Sequence, residues 1–209
     1  MQALSSNNRF NDFMSRIGDL AILNILWVIC CLPVVTFGVA TSALFETIRQ
    51  IQEGHDTHII HRFIIQLKYN FGRNLVFSLL YIAFLCLAFF DLHYLSSNTA
   101  STPLATVSYG CVVTISVLII AACGFIFPLS GRSQLSVIGQ LKQSLSVALR
   151  HPFIAANMFF IVAVPVVIAV AIPGGAAFVA FFWGLLFSAI SAWLIILLMV
   201  HGSVIAEKQ

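Results

Sequence analysis

Three histidines, His55, His58 and His61, recur at every third residue, and neutral imidazole is among the commonest of protein metal ligands. On a helix this spacing leaves the first and last rings about 120° apart, so the three do not converge on one ion. No cysteine or acidic pair completes a coordination set, and the histidines fit a membrane interface better than a metal centre. Asp91 is the only carboxylate within a long apolar stretch, a setting in which an acid can couple protons or contact a cation. Its place near the end of that stretch, beside His93 and Tyr94, would also let it reach headgroups or water. The five cysteines (Cys30, Cys31, Cys86, Cys111 and Cys123) lie in apolar surroundings without CxxC spacing and read as small packing residues. No Ser-His-Asp set, paired carboxylates or Walker sequence is present, and Gly110 to Gly124 lacks the strand–turn–helix context of a phosphate loop. The expectation is a protein that is not an enzyme and needs no cofactor or metal.

The elements that carry these residues follow from composition. Of 209 residues, 60% are hydrophobic and 8% charged, and mean hydropathy is +1.03. Soluble domains carry about a quarter charged residues, so the chain reads as an integral membrane protein. A spanning helix needs about 20 apolar residues. Five stretches qualify: Leu20–Phe45, Leu75–Leu95, Leu104–Leu129, Phe153–Ile172 and Ala176–Val200. The predicted fold is therefore all-α, a polytopic bundle of about five transmembrane helices forming a single domain over residues 1–209. The net charge of +3 is spread over short loops and does not make a nucleic-acid surface. The basic residues orient the chain instead. Loops 46–74 (Arg49, Arg62, Lys68, Arg73) and 130–152 (Arg132, Lys142, Arg150) face the cytoplasm, while the uncharged 96–103 and 173–175 face outward. Arg9 and Arg16 conflict with this scheme if the first stretch crosses once.

That first stretch is interrupted by Pro33 and Gly38. Broken helices in transporters present backbone carbonyls to a solute, and Asn24, Trp27, Thr36 and Gly38 would then stand beside the contact. The simpler reading is a packing kink, with Thr36 and Ser42 satisfying the freed carbonyls. A single kinked crossing is expected, with Glu46–Gln52 leaving the membrane at an angle toward the cytoplasm. The alternative is a re-entrant pair of half-helices bent at Pro33–Gly38. Leu20–Leu32 also has the length of a signal-peptide core with Gly38-Val39-Ala40 as a cleavage site, but Asp12 and Asp19 weaken the positive flank this requires.

Two segments carry amphipathic stripes. Phe10, Phe13, Met14 and Ile17 predict a short helix lying in the interface, and Leu135, Ile138, Leu141, Leu145 and Leu149 predict a second along the cytoplasmic surface or beneath a partner. In the last stretch Ala176, Ala180, Gly184, Ser188 and Ala192 fall at every fourth position, a series that lets another helix approach closely, within the chain or across a subunit interface.

Leu23-Asn24-Ile25-Leu26-Trp27, then Leu32-Pro33-Val34-Val35-Thr36-Phe37-Gly38 and Ala43-Leu44-Phe45, resemble the opening signature of the YesL-like bacterial membrane proteins. Phe63 with Lys68-Tyr69-Asn70-Phe71, Phe127-Pro128-Leu129 with Arg132, and Leu141-Lys142 with Ala148 and Pro152 resemble that family's later segments in the same order. Phe45 stands where that family commonly has Tyr, and Gly131 where a larger residue usually precedes the Arg. The resemblance implies a setting more than a chemistry, because such proteins are often encoded beside carbohydrate ABC importers. It yields the expectation of a non-catalytic accessory protein in the bacterial plasma membrane, with the lipid bilayer and importer permease subunits as partners. A stand-alone small-solute transporter or channel, and a membrane-associated scaffold or sensor, are the alternatives.

Overall fold

The computed structural model describes residues 2–54, 58–97, 107, 110–111, 124–131, 133–182 and 187–201. Among them the regular structure is helical throughout, with no strand. Helix α1 runs Gln2–Cys31, a 3₁₀ turn covers Val34–Thr36, and α2 follows at Phe37–Gln52. Then come α3 (Ile59–Lys68), α4 (Phe71–Ser97), α5 (Ile126–Ser130), α6 (Val137–Arg150), α7 (Pro152–Ala171), α8 (Gly175–Phe182) and α9 (Ser188–His201).

Pro33 sets the end of α1, since the residue before a proline is driven out of the α region. The helix stops at Cys31, and the chain turns through Leu32–Thr36 before α2 begins. The freed carbonyl of Cys30 is taken by the Thr36 hydroxyl at 2.6 Å, which also lies 2.7 Å from the Pro33 carbonyl. Beyond the turn α2 packs back along α1. Trp27 Nε1 donates to Thr41 Oγ1 at 3.2 Å, although fourteen residues of uninterrupted helix would hold them about 21 Å apart. The expected single kinked crossing of Leu20–Phe45 is therefore corrected to a helical hairpin, because the 3₁₀ turn reverses the chain rather than bending it.

Two further expectations change with it. The stripe at Phe10–Ile17 belongs to α1 itself, which is continuous from Gln2. Glu46–Gln52 does not leave the bundle: it is the second half of α2, where Glu46, Thr47, Ile48, Arg49 and Ile51 are buried. Helix α2 is the central element, packed against α1, α3, α4, α5 and α9. The core gathers around it, with Leu44 and Ile48 of α2, Phe63 of α3, Phe77 of α4, Phe125 and Phe127 at α5, and Ile196 and Met199 of α9.

Between α3 and α4 the axis bends by 75°. Asn70 makes the corner in the left-handed region (φ 53°), a conformation asparagine accepts more readily than other non-glycine residues. The expected second and fourth stretches coincide with α4 and α7. The fifth is divided between α8 and α9, whose connecting residues 183–186 lie outside the described residues, as does most of Leu104–Leu129. Among the described residues, one helix is long and apolar enough to cross a membrane, over Met14–Cys31. The bent pair Ile59–Lys68 with Phe71–Leu87 makes a second if taken as one span.

Candidate functional site

A run of polar groups lies along the buried side of α2. Gly38, Ser42 and Glu46 recur at every fourth residue and so share one face, with Arg49 close below. At the upper end the Gly38 amide donates to Ser78 Oγ of α4 at 2.5 Å. A Cβ at Gly38 would stand 2.5 Å from Phe127 Cε1 and from that hydroxyl, so only glycine lets α2, α4 and α5 meet here. One turn on, the hydroxyls of Ser42 and Ser130 hydrogen-bond to each other, and Ser130 Oγ also donates to the Phe127 carbonyl at 3.0 Å.

Another turn on lies a buried ion pair. Arg49 Nη2 donates to Glu46 Oε2 at 2.5 Å, with side chains 9% and 4% exposed. Gln50 Nε2 reaches Glu46 Oε1 at 3.3 Å, and Arg62 Nη1 donates to Gln50 Oε1 at 3.4 Å. Gly131 lies over Glu46, since a Cβ there would fall 2.7 Å from Oε2 and 2.9 Å from Glu46 Cβ. A carboxylate removed from water is tolerated because cation and amide donors compensate its desolvation.

Beside this face, Arg73 gathers the end of α5 to the start of α6. Its guanidinium donates to the carbonyls of Ser130 (2.7 Å), Ser133 (2.5 Å) and Leu135 (3.2 Å), the first of them an orphan acceptor at a helix C-terminus. Gln140 of α6 is fully buried and donates to the Ile126 carbonyl at 3.4 Å. At the far side, Asn24 Oδ1 accepts from Ser188 Oγ and from the Ala189 amide (3.0 Å), capping α9 with a side chain from α1.

The residues expected from sequence divide accordingly. Asn24 is buried under α9. Trp27 meets Phe37 edge to face at 6.2 Å, and Phe37 meets Phe127 in the same way at 6.1 Å. Pro33 is exposed at the reversal and Thr36 closes it. Ser188 and Ala192 are buried within the chain, whereas Gly184 and Arg132 lie outside the described residues, as do the side chains of Asp91, Ala176 and Ala180. Lys142 is exposed on α6. His58 and His61 are exposed and line, with Asp19 and four isoleucines, an open groove of about 540 Å³ between α1 and α3; His55 lies outside the described residues. Among the described residues no group of His, Cys, Asp and Glu could hold a metal.

Sequence reading missed Glu46, Arg49, Ser78, Ser130, Arg73 and Gln140. The available signal was the four-residue spacing Gly38, Ser42, Glu46, with the small pair Ser130-Gly131 as its counterpart. The arrangement holds helices together through polar contacts and presents no nucleophile–base pair among the described residues. It defines a helical protein with a charged pair, Glu46 and Arg49, buried within its bundle.

Residues 20–92 match the family described as "Protein of unknown function, DUF624". The matched segment contains the end of α1 from Leu20, the reversal, α2 with its ion pair, α3 and most of α4. No curated protein and no solved structure matches the chain.

Proposed function

We propose that this chain is a polytopic membrane protein of the YesL-like type, acting as a non-catalytic accessory component of a carbohydrate ABC importer in the bacterial plasma membrane. The observation that carries the membrane part is the distribution of polarity. Glu46, Arg49, Asn24 and Gln140 are buried, while Leu32, Phe89, Phe90, Phe153 and Phe160 stand exposed, Phe153 at 84%. In water such a surface invites aggregation; in lipid it is the ordinary outer face of a bundle. Helix α7 adds 20 residues without a charged side chain.

The accessory role draws on two supports. The polar groups of α2 are engaged with neighbouring helices, as expected of a scaffold, and the resemblance to YesL-like proteins supplies the importer setting. Affinity purification from the native membrane in mild detergent, followed by mass spectrometry, tests it. Permease subunits recovered in near-equal amounts are the expected result, and a protein that emerges alone would count against it.

One observation favours a stand-alone small-solute transporter as the second reading. Ionisable groups buried in a membrane bundle often mark a transport path, and Glu46 and Arg49 are such groups. Solute uptake into liposomes by the purified protein, lost in Glu46→Gln, would establish this reading and sink the first.

A further inference from the structure

We propose that α6 is a lipid-surface helix that lies at the cytoplasmic boundary of the bilayer and gathers anionic headgroups. The inference rests on the membrane reading above. At about 100° per residue, the helix divides into three consecutive sectors. The first faces the bundle: Gln140 and Ser144 are buried, and Val137, Val147 and Ala148 pack on the core. The second contains Ile138, Leu141, Leu145 and Leu149, all exposed, Ile138 at 68% and Leu149 at 74%. The third contains Gly139, Gln143, Ser146 and Arg150.

A helix between bundle and water needs two sectors, and one between bundle and lipid also needs two. Three in this order place bundle, hydrocarbon and water around one axis, which occurs where the three meet. Lys142 stands at the border between the leucine sector and the polar one, where a long stem can lie along apolar surface with its ammonium at headgroup depth. Arg150 ends the polar sector, and both cations are exposed.

The helix is fixed in this attitude from within. Ser136 caps its start by accepting from the Gly139 amide at 3.3 Å, Arg73 holds the preceding carbonyls, and Gln140 anchors it to α5. In sequence it is followed, after His151, by the uncharged α7, whose Phe153 is the most exposed large hydrophobic side chain among the described residues. Continuity in sequence with the uncharged α7 and the Lys142 cation at the border of the leucine sector both select a bilayer, and its anionic lipids, as the occupant.

The test uses the full chain in vesicles, with the five cysteines replaced by alanine and a fluorophore attached at Leu145→Cys, Gln143→Cys or Ile25→Cys. Quenchers are aqueous iodide and headgroup-nitroxide phosphatidylcholine or phosphatidylglycerol. Label 145 should respond to lipid and not to iodide, and label 143 to iodide. At equal content the phosphatidylglycerol quencher should act on 145 more strongly, up to about fivefold per engaged cation, and this excess should vanish in Lys142→Gln with Arg150→Gln. Iodide quenching at 145 but not at 25 would overturn the inference and leave the membrane reading standing. Iodide quenching at both would end the two together. A label at 145 reached by neither quencher would mean that protein covers the helix, and equal quenching by the two lipids would remove the anionic preference; each of these results would overturn the proposal.

Discussion

The Glu46–Arg49 pair is buried on α2 with Gly131 against the carboxylate, and its energetics follow from that position. Removing Arg49 leaves a carboxylate buried against Gly131, a change that costs about 3–5 kcal/mol in buried pairs, whereas apolar replacement of both partners is often neutral. Arg49→Met should therefore lower the thermal midpoint in detergent sharply, and adding Glu46→Leu should restore most of it; a double variant as unstable as the sum of two singles would contradict the coupling. Gly38→Leu forces a side chain into Phe127 and Ser78, and a loss of about 1–3 kcal/mol is expected from overpacking. Unfolding followed by tryptophan fluorescence should show it, with partial recovery when Phe127→Ala makes room. At this scale the sequence pointed to Gly38 and Asn24 through their types in an apolar run. It did not disclose Glu46 and Arg49, since a glutamate and arginine three apart read as an exposed surface pair. What lies over Glu46 is Gly131, which is distant in sequence and tells its neighbourhood only after folding.

At the scale of elements the reversal at Leu32–Thr36 has the largest consequence. A single crossing leaves Arg9 and Arg16 opposite the basic loops, against the bias in basic residues. A hairpin returns the chain along α1, and the groove lined by Asp19 and His61 places the start of α3 beside the middle of α1, away from the reversal. Ser5→Cys and His61→Cys should therefore react with an impermeant maleimide from the same side of sealed vesicles, and labelling from opposite sides would restore the kinked crossing. Pro33 and Gly38 were visible as breaks, but a break does not state its angle. The angle is set by Trp27 with Thr41 and by Phe37 with Phe127, contacts that exist only once α2 has found its neighbours. Asn70 is a more local case: its left-handed backbone predicts that Asn70→Gly is nearly neutral and that Asn70→Val loses about 1–2 kcal/mol, measurable as a shift in melting temperature.

Across the whole molecule, composition revealed that apolar helices dominate, but not which of their faces turn outward. A helix apolar all round, such as α7, has no stripe from which to read a direction, and neither its burial nor its exposure is encoded locally. The structure supplies that direction for Leu80 of α4 and Leu194 of α9, which are 55% and 45% exposed. They provide a direct test of the surrounding medium. If the outer surface meets water, Leu80→Lys and Leu194→Lys are ordinary surface changes, worth no more than about 0.5 kcal/mol either way. If it meets hydrocarbon, each lysine costs about 2.5–3.5 kcal/mol at mid-depth and less near the boundary. Both variants should accordingly lose membrane-inserted yield and melt earlier in lipid nanodiscs, Leu80→Lys the more so if its position on α4 is the deeper. Lys142→Leu, at the border sector of α6, should leave both quantities nearly unchanged. Insertion and melting at wild-type levels in both lysine variants would mean that the exposed leucines do not face lipid, and the bundle would have to be explained by another covering surface.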